Sequence, residues 1–95
     1  MKIEHKENLD RFLLKTDEGE KIGEIEYRVA NDSLIYVTRT EVSPEHGGKG
    51  YAGLLLDALV EWARKNNIKA VPICSYVVRA FEKNPDKYGD IAILK

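Results

Sequence analysis

Two periodicities meet at a glycine-dense hinge in this chain, and that junction limits the folds open to it. Before the hinge the apolar residues recur at every second position: Ile25, Tyr27 and Val29 alternate with Glu24, Glu26 and Arg28, as a strand with one buried and one wet face requires. From Gly50 the period is 3.6. Ala52, Leu55, Leu56, Leu59 and Ala63 fall on one side of a helix of about four turns, and Asp57, Glu61, Arg64 and Lys65 on the other. Between them runs Val42-Ser43-Pro44-Glu45-His46-Gly47-Gly48-Lys49-Gly50-Tyr51-Ala52. Glycine takes φ > 0 and lets backbone approach a ligand, while the first turn of a helix carries unpaired N–H groups. Such a junction has the geometry of a phosphate cradle, and the helix dipole adds to the attraction. The plainer reading is a strand-to-helix turn in which glycine is common. Lys49 is then either a charge beside the phosphates or a solvated side chain.

The flanking segments complete a topology. Phe12-Leu13-Leu14 reads as a short strand, Thr16-Asp17-Glu18-Gly19-Glu20 as a hairpin turn, and Leu34 to Val42 as a strand rich in β-branched and aromatic residues, with a weak further strand around Ile3. After the helix, Asn66-Asn67 is a stop, Ala70-Val71-Pro72-Ile73-Cys74 a short buried strand, and Tyr76 to Lys83 a second helix closed by Asn84-Pro85. Strand, helix, strand in that order implies a parallel crossover. The expected fold is α+β with a mixed sheet: an antiparallel meander, a helix, a parallel strand and a short C-terminal helix, in one domain over residues 1–95. Pro72 conflicts with a central strand, since it has no ladder donor. The conflict is eased if its strand splays from the one holding Glu41, which opens a cleft between them.

Composition removes several function classes. A net charge of −1, with lysines interleaved among glutamates, creates no field for nucleic acid. No apolar run approaches the ~20 residues of a membrane span. Charges throughout Met1–Glu7 do not fit a secretion signal, and a cytoplasmic location is expected. One cysteine, Cys74, and two distant histidines, His5 and His46, supply no metal-ligand spacing, so no metal is expected.

The order of elements resembles the GNAT superfamily of acetyl-CoA-dependent N-acetyltransferases, truncated to its cofactor-binding half. The family motif of Arg or Gln, two residues, Gly, one residue, then Gly or Ala is matched by Gly47-Gly48-Lys49-Gly50-Tyr51-Ala52, with Gly47 in place of Arg or Gln. Arg39-Thr40-Glu41-Val42, Val71-Pro72-Ile73-Cys74-Ser75-Tyr76-Val77 and Asn84-Pro85-Asp86-Lys87-Tyr88 resemble its minimal YidJ/YjdJ-type subfamily. That subfamily usually has His where this chain has Arg39, and often where it has Asn84.

The resemblance implies a bound acetyl-CoA. Gly47, Gly48, Lys49, Gly50, Tyr51 and Ala52 would hold the diphosphate, and backbone groups of Val42 and Ser43 would meet the pantetheine arm as an added strand does. Glu41 would be a base for the attacking amine. Strict alternation instead places Arg39 and Glu41 on one side with Ile35 and Val37, where an exposed ion pair explains them equally well. Cys74, at a strand end just before a helix start, is either a thiol of lowered pKa that accepts the acetyl group or a buried space-filler. Phe81 occupies the position of the family's proton-donating tyrosine, which leaves Tyr76, Tyr88 or water for that task. The functional expectation is acetyl transfer from acetyl-CoA to an unidentified amine, or by way of Cys74. The alternatives are a non-catalytic acyl-CoA sensor or carrier, and a small interaction domain with no nucleotide ligand.

Overall fold

The computed structural model describes residues 1–94. Five strands form one sheet in sequence order: β1 (Lys2–Lys6), β2 (Arg11–Lys15), β3 (Lys21–Asn31), β4 (Leu34–Val42) and β5 (Lys69–Pro72). The first four are antiparallel and β5 runs parallel to β4, so the architecture is α+β with a mixed sheet. Helix α1 (Tyr51–Lys65) makes the crossover, and α2 (Ser75–Lys83) and a single turn, α3 (Pro85–Tyr88), follow β5. The sequence forecasts the five strands, α1 and α2, with period the signal for β3 and α1; it does not forecast α3 or the 3-10 turns at Glu7–Leu9 and Pro44–His46. The hairpin at Thr16–Glu20 closes through Thr16 N–H to the Glu20 carbonyl at 2.8 Å, with Gly19 at φ 94°.

One side of the sheet carries the core. Leu55, Leu56, Leu59, Val60 and Ala63 of α1 are buried against Phe12, Leu14, Ile25, Tyr27, Ile35 and Val37, each large side chain contributing about 1.5–3 kcal/mol. Val77 and Phe81 of α2 and Tyr88 of α3 extend this core. At its far end His5 stacks on Phe12 (centroids 3.9 Å apart), meets Trp62 edge-on and shares a 2.7 Å hydrogen bond with the Tyr27 hydroxyl. Burial holds the His5 imidazole below its ordinary pKa and pushes the Tyr27 phenol up to about 12. No helix among the described residues is long and apolar enough to cross a membrane.

The other side carries charges in place of apolar groups. Glu24 is only 2 % exposed; Lys21 (2.7 Å), Arg39 (2.8 Å) and Arg11 (3.2 Å) converge on it. Burial pushes its carboxyl up, but the three cations outweigh that and hold it below the usual range. A glutamate assigned by alternation to a wet face is thus enclosed, because long cationic stems fold over it.

A bulge in β4 decides what the sheet can do. Glu26 pairs with Arg39 but Tyr27 pairs with Val37, so Thr38 is an extra residue. Every side chain beyond it is shifted to the opposite face. Ile35 and Val37 face the core, Thr40 and Val42 continue that face opposite Ile25 and Gly23, and Arg39 and Glu41 join Glu26 and Glu24 on the charged side. This overturns the expectation that Arg39 and Glu41 share a side with Ile35 and Val37.

Candidate active site

Strand β5 accompanies β4 only from Leu34 to Val37. The last rung is the Val37 carbonyl, which accepts from both Ile73 N–H (2.9 Å) and Cys74 N–H (3.1 Å). Beyond it the bulged strand continues without a neighbour on that side. The expected cleft is present, but its stated relation to Pro72 needs correction. Lys69 and Ile73 N–H groups point at β4, whereas the Ala70 N–H points outward to Ile91. By the same alternation Pro72 nitrogen lies on the outer edge, where its missing N–H costs no rung with β4.

Alternation also decides which backbone groups line the gap. Ser43 N–H donates to the Ile22 carbonyl at 2.9 Å, so it is consumed on the β3 side and does not face the cleft, contrary to the sequence expectation. Residues at even offsets from Ser43 turn toward β3, and Val42 and Thr40 turn their N–H and C=O groups into the gap. Val42 and Thr40 thus edge the gap, and Ser43 does not.

At the mouth of the gap the chain makes a 3-10 turn over Pro44–His46 and then the glycine corner. Gly48 and Gly50 both sit at φ 78°, which only glycine adopts without strain, and a Cβ on either would meet nothing within 4 Å. Gly47 is extended (φ −67°, ψ 157°), so its value is room rather than handedness: a Cβ there would stand 3.3 Å from the Pro44 carbonyl oxygen. Gly50 is the N-cap of α1 and offers no side chain to the first turn, which also contains no acidic residue. The opening N–H groups at Tyr51, Ala52 and Gly53 are left for a ligand, with the positive end of a 15-residue helix behind them. Lys49 is exposed beside them.

Cys74 closes the inner end of the gap. Its sulfur lies 3.7 Å from Thr40 Oγ1, spanning the space between the parted strands. Burial pushes the thiol up, but N–H groups of Val77 and Tyr76 at the start of α2, the Thr40 hydroxyl and the Thr40 backbone N–H together pull it below its ordinary pKa. The sulfur thus sits where a thiolate is stabilised by fixed dipoles. Glu41, one residue beyond Thr40, is on the opposite face, 3.5 Å from Arg39. It lines a cleft of about 240 Å³ with Lys21, Gly23, Glu24 and Ser43. The structure therefore joins Cys74 to Thr40 and places Glu41 across the strand from them.

Of the phenols, Tyr88 is buried and donates to Asp57 at 2.7 Å, and burial and that bond push its pKa well up. Tyr76 is exposed, and its hydroxyl stands 3.6 Å from where a Cβ on Gly53 would be, bridging α2 and the first turn of α1. Phe81 is in the core, against Tyr88. Sequence reasoning missed Thr40, whose role depends on the bulge. No pattern within one strand reveals an extra residue relative to its neighbour.

A family profile described as GCN5-related N-acetyl-transferase matches residues 11–91, which includes the gap, the glycine corner and Cys74. The chain belongs to this family. An NMR solution structure of a GCN5-like protein from Staphylococcus aureus is 36% identical, with a TM-score of 0.78, and 99% of this chain covers 90% of that one. More distant N-acetyltransferase folds agree in architecture. N-acetylglutamate synthase from Neisseria gonorrhoeae, complexed with coenzyme A and N-acetyl-glutamate, is 22% identical over 82% of this chain and 19% of its own, with a TM-score of 0.66. A GNAT family acetyltransferase from Elizabethkingia anophelis with acetyl-CoA bound is 18% identical over 77% of this chain and 50% of its own, with a TM-score of 0.63. The chain thus spans half or less of these two. No protein of curated function matches it in sequence.

Proposed function

We propose that this GCN5-related chain, a member of the minimal YidJ/YjdJ-type group, binds acetyl-CoA and moves its acetyl group by way of Cys74. The diphosphate rests on Gly48, Lys49 and Gly50 and the free N–H groups of Tyr51 and Ala52. The pantetheine arm lies along the open edge of Thr40 and Val42, its amides taking the place of the strand that β5 does not supply. Its thioester then reaches the sulfur of Cys74. The observation that carries this reading is the position of that thiol: it ends the gap, held by Thr40 and the first N–H groups of α2.

The chemistry is a thioester exchange. Cys74 thiolate attacks the acetyl carbon, the new S–C bond forms, the bond to CoA sulfur breaks, and CoA leaves as a thiolate that takes up a proton. An amine acceptor then attacks acetyl-Cys74, which restores the thiolate and leaves a proton on nitrogen. That proton passes to solvent; Glu41, on the opposite face of β4, is assigned the earlier step, taking a proton from the ammonium form of the acceptor as it arrives through the cleft on the charged side of the sheet. Isothermal calorimetry with acetyl-CoA and intact-mass measurement after incubation test the scheme. Saturable binding and the mass gain of one acetyl group, absent in Cys74→Ser, are expected; no binding at millimolar acetyl-CoA would refute it.

One observation favours a second reading, a reversible acyl-CoA sensor or carrier. The position resembling the family's proton-donating tyrosine is Phe81, which is 1 % exposed and has no proton to give. Binding without any covalent adduct would favour that module.

A further inference from the structure

Most cations of this chain have a carboxylate within 4.0 Å, from Lys2 with Glu4 to Lys87 with Asp57. Among the described residues Arg28, Lys49, Lys65, Lys69, Arg79 and Lys83 have none, Lys69 reaching only the Asp90 carbonyl, and three of those six border the crevice. Lys49 is in the glycine corner. Arg79 and Lys83 lie one turn apart on the exposed side of α2 and line a groove of about 390 Å³ with Ser75, Tyr76, Ala80 and Asn84. Two like charges at this spacing repel, and among the described residues no carboxylate lies within 4.0 Å to relieve them. Glu82, the one acidic residue of α2, faces the opposite groove with Tyr36, Val71 and Ile73. The cationic groove adjoins the glycine corner through one side chain: Tyr76 lines it, and the Tyr76 hydroxyl stands 3.6 Å from where a Cβ on Gly53, in the first turn of α1, would be.

We propose that Arg79 and Lys83 form a second anion subsite that takes the ribose phosphate monoester of the coenzyme whose diphosphate rests on Gly48 and Gly50. The inference builds on the cofactor reading above and adds a specificity to it. A phosphate monoester carries −1.5 to −2 charges near neutral pH and three acceptor oxygens, and one guanidinium plus one ammonium at (i, i+4) match it in charge and in reach. The chain would then select the complete nucleotide thioester over coenzyme lacking the monoester, and over thioesters on a bare pantetheine arm.

Calorimetry with CoA and with 3′-dephospho-CoA separates the two anion sites. In low salt the wild-type chain is expected to bind CoA about tenfold more tightly than dephospho-CoA, the lower range for charge-assisted bonds at an exposed site. The preference shrinks as ionic strength rises. Arg79→Gln with Lys83→Gln is expected to weaken CoA to the level of dephospho-CoA and leave dephospho-CoA binding unchanged. Both positions are exposed, and Arg79→Gln alone should give an intermediate ratio. Equal affinity of the wild-type chain for the two ligands, or an equal loss of both in the double variant, would overturn the subsite while leaving the cofactor reading intact. If neither ligand binds, the cofactor reading itself is lost, and the subsite with it.

Discussion

Strand β4 is two strands in one. From Leu34 to Val37 it is zipped on both sides, to β3 and to β5, and its inward side chains are sealed in the core; from Thr38 to Val42 it has β3 alone, and its other edge has no strand partner. A single extra residue, Thr38, separates the halves. The first half obeys the ordinary rule that buried backbone groups be paired. The second leaves a row of donors and acceptors unspent, which a folded protein keeps open only at some cost. That contrast teaches where to look for function in a small mixed sheet: at the point where a parallel pair stops although the strand continues.

Substitutions in the two halves should therefore fail differently, and the largest difference is expected for matched side chains. Ile35→Ala, in the zipped half, removes a fully buried residue and should cost about 2–5 kcal/mol, read as a fall in the urea midpoint with little change in slope. Thr40→Val, in the open half, removes the hydroxyl that faces Cys74 and should cost about 0.5–1.5 kcal/mol, the net worth of one side-chain hydrogen bond. The Cys74 thiol pKa should rise, so alkylation by iodoacetamide near pH 7 should slow severalfold. If Thr40→Val destabilises the fold as much as Ile35→Ala does, the two halves are not distinct.

The glycine corner gives the next effect in size. Gly48 and Gly50 share φ 78°, and nothing but backbone conformation opposes a Cβ there. Gly50→Ala should cost about 1–2 kcal/mol from the left-handed conformation alone, and should weaken acetyl-CoA binding through misalignment of the first turn of α1. Gly47→Ala is the contrast. Its backbone is extended, so stability should change less than in Gly50→Ala. An equal loss at both positions would mean that the corner is tuned by packing and not by handedness.

How much of this was legible before the fold was known follows from the same comparison. Leu55, Leu56 and Leu59 announce α1 because helical periodicity is a property of one segment, and Ile25 and Tyr27 announce β3 in the same way. The parting of β4 from β5 was expected on the strength of Pro72, whose nitrogen in fact lies on the outer edge; the bulge at Thr38 stands where the pairing stops, and β5 ends there as the chain enters α2. Register belongs to pairs of strands, so no reading of Thr38-Arg39-Thr40-Glu41 alone assigns its faces. Ser43 failed as a cleft donor for the same reason. Glu24 looked like a solvent-facing strand residue because the three cations that enclose it come from Arg11, Lys21 and Arg39, on three strands. Cys74 was legible in part: its place before a helix start was readable, but its neighbour Thr40 was not.

The two sides of the sheet allow the smallest test, by pH. His5 is held neutral by burial, with its folded pKa below the unfolded value of about 6.5. Below that value the unfolded chain binds more protons than the native one, so this contribution is complete above about pH 6.5 and is lost as pH falls from there toward the folded pKa. Glu24 also has a lowered folded pKa, and its stabilisation is present above the unfolded value near 4.5 and lost as pH falls below it toward the folded pKa. Urea midpoints measured on a falling pH series should drop first through the aromatic cluster and then through the charged side. His5→Phe removes the titrating group, and in that variant the first drop should vanish while the second persists. The opposite pattern would place the acid sensitivity elsewhere than in the stacked imidazole.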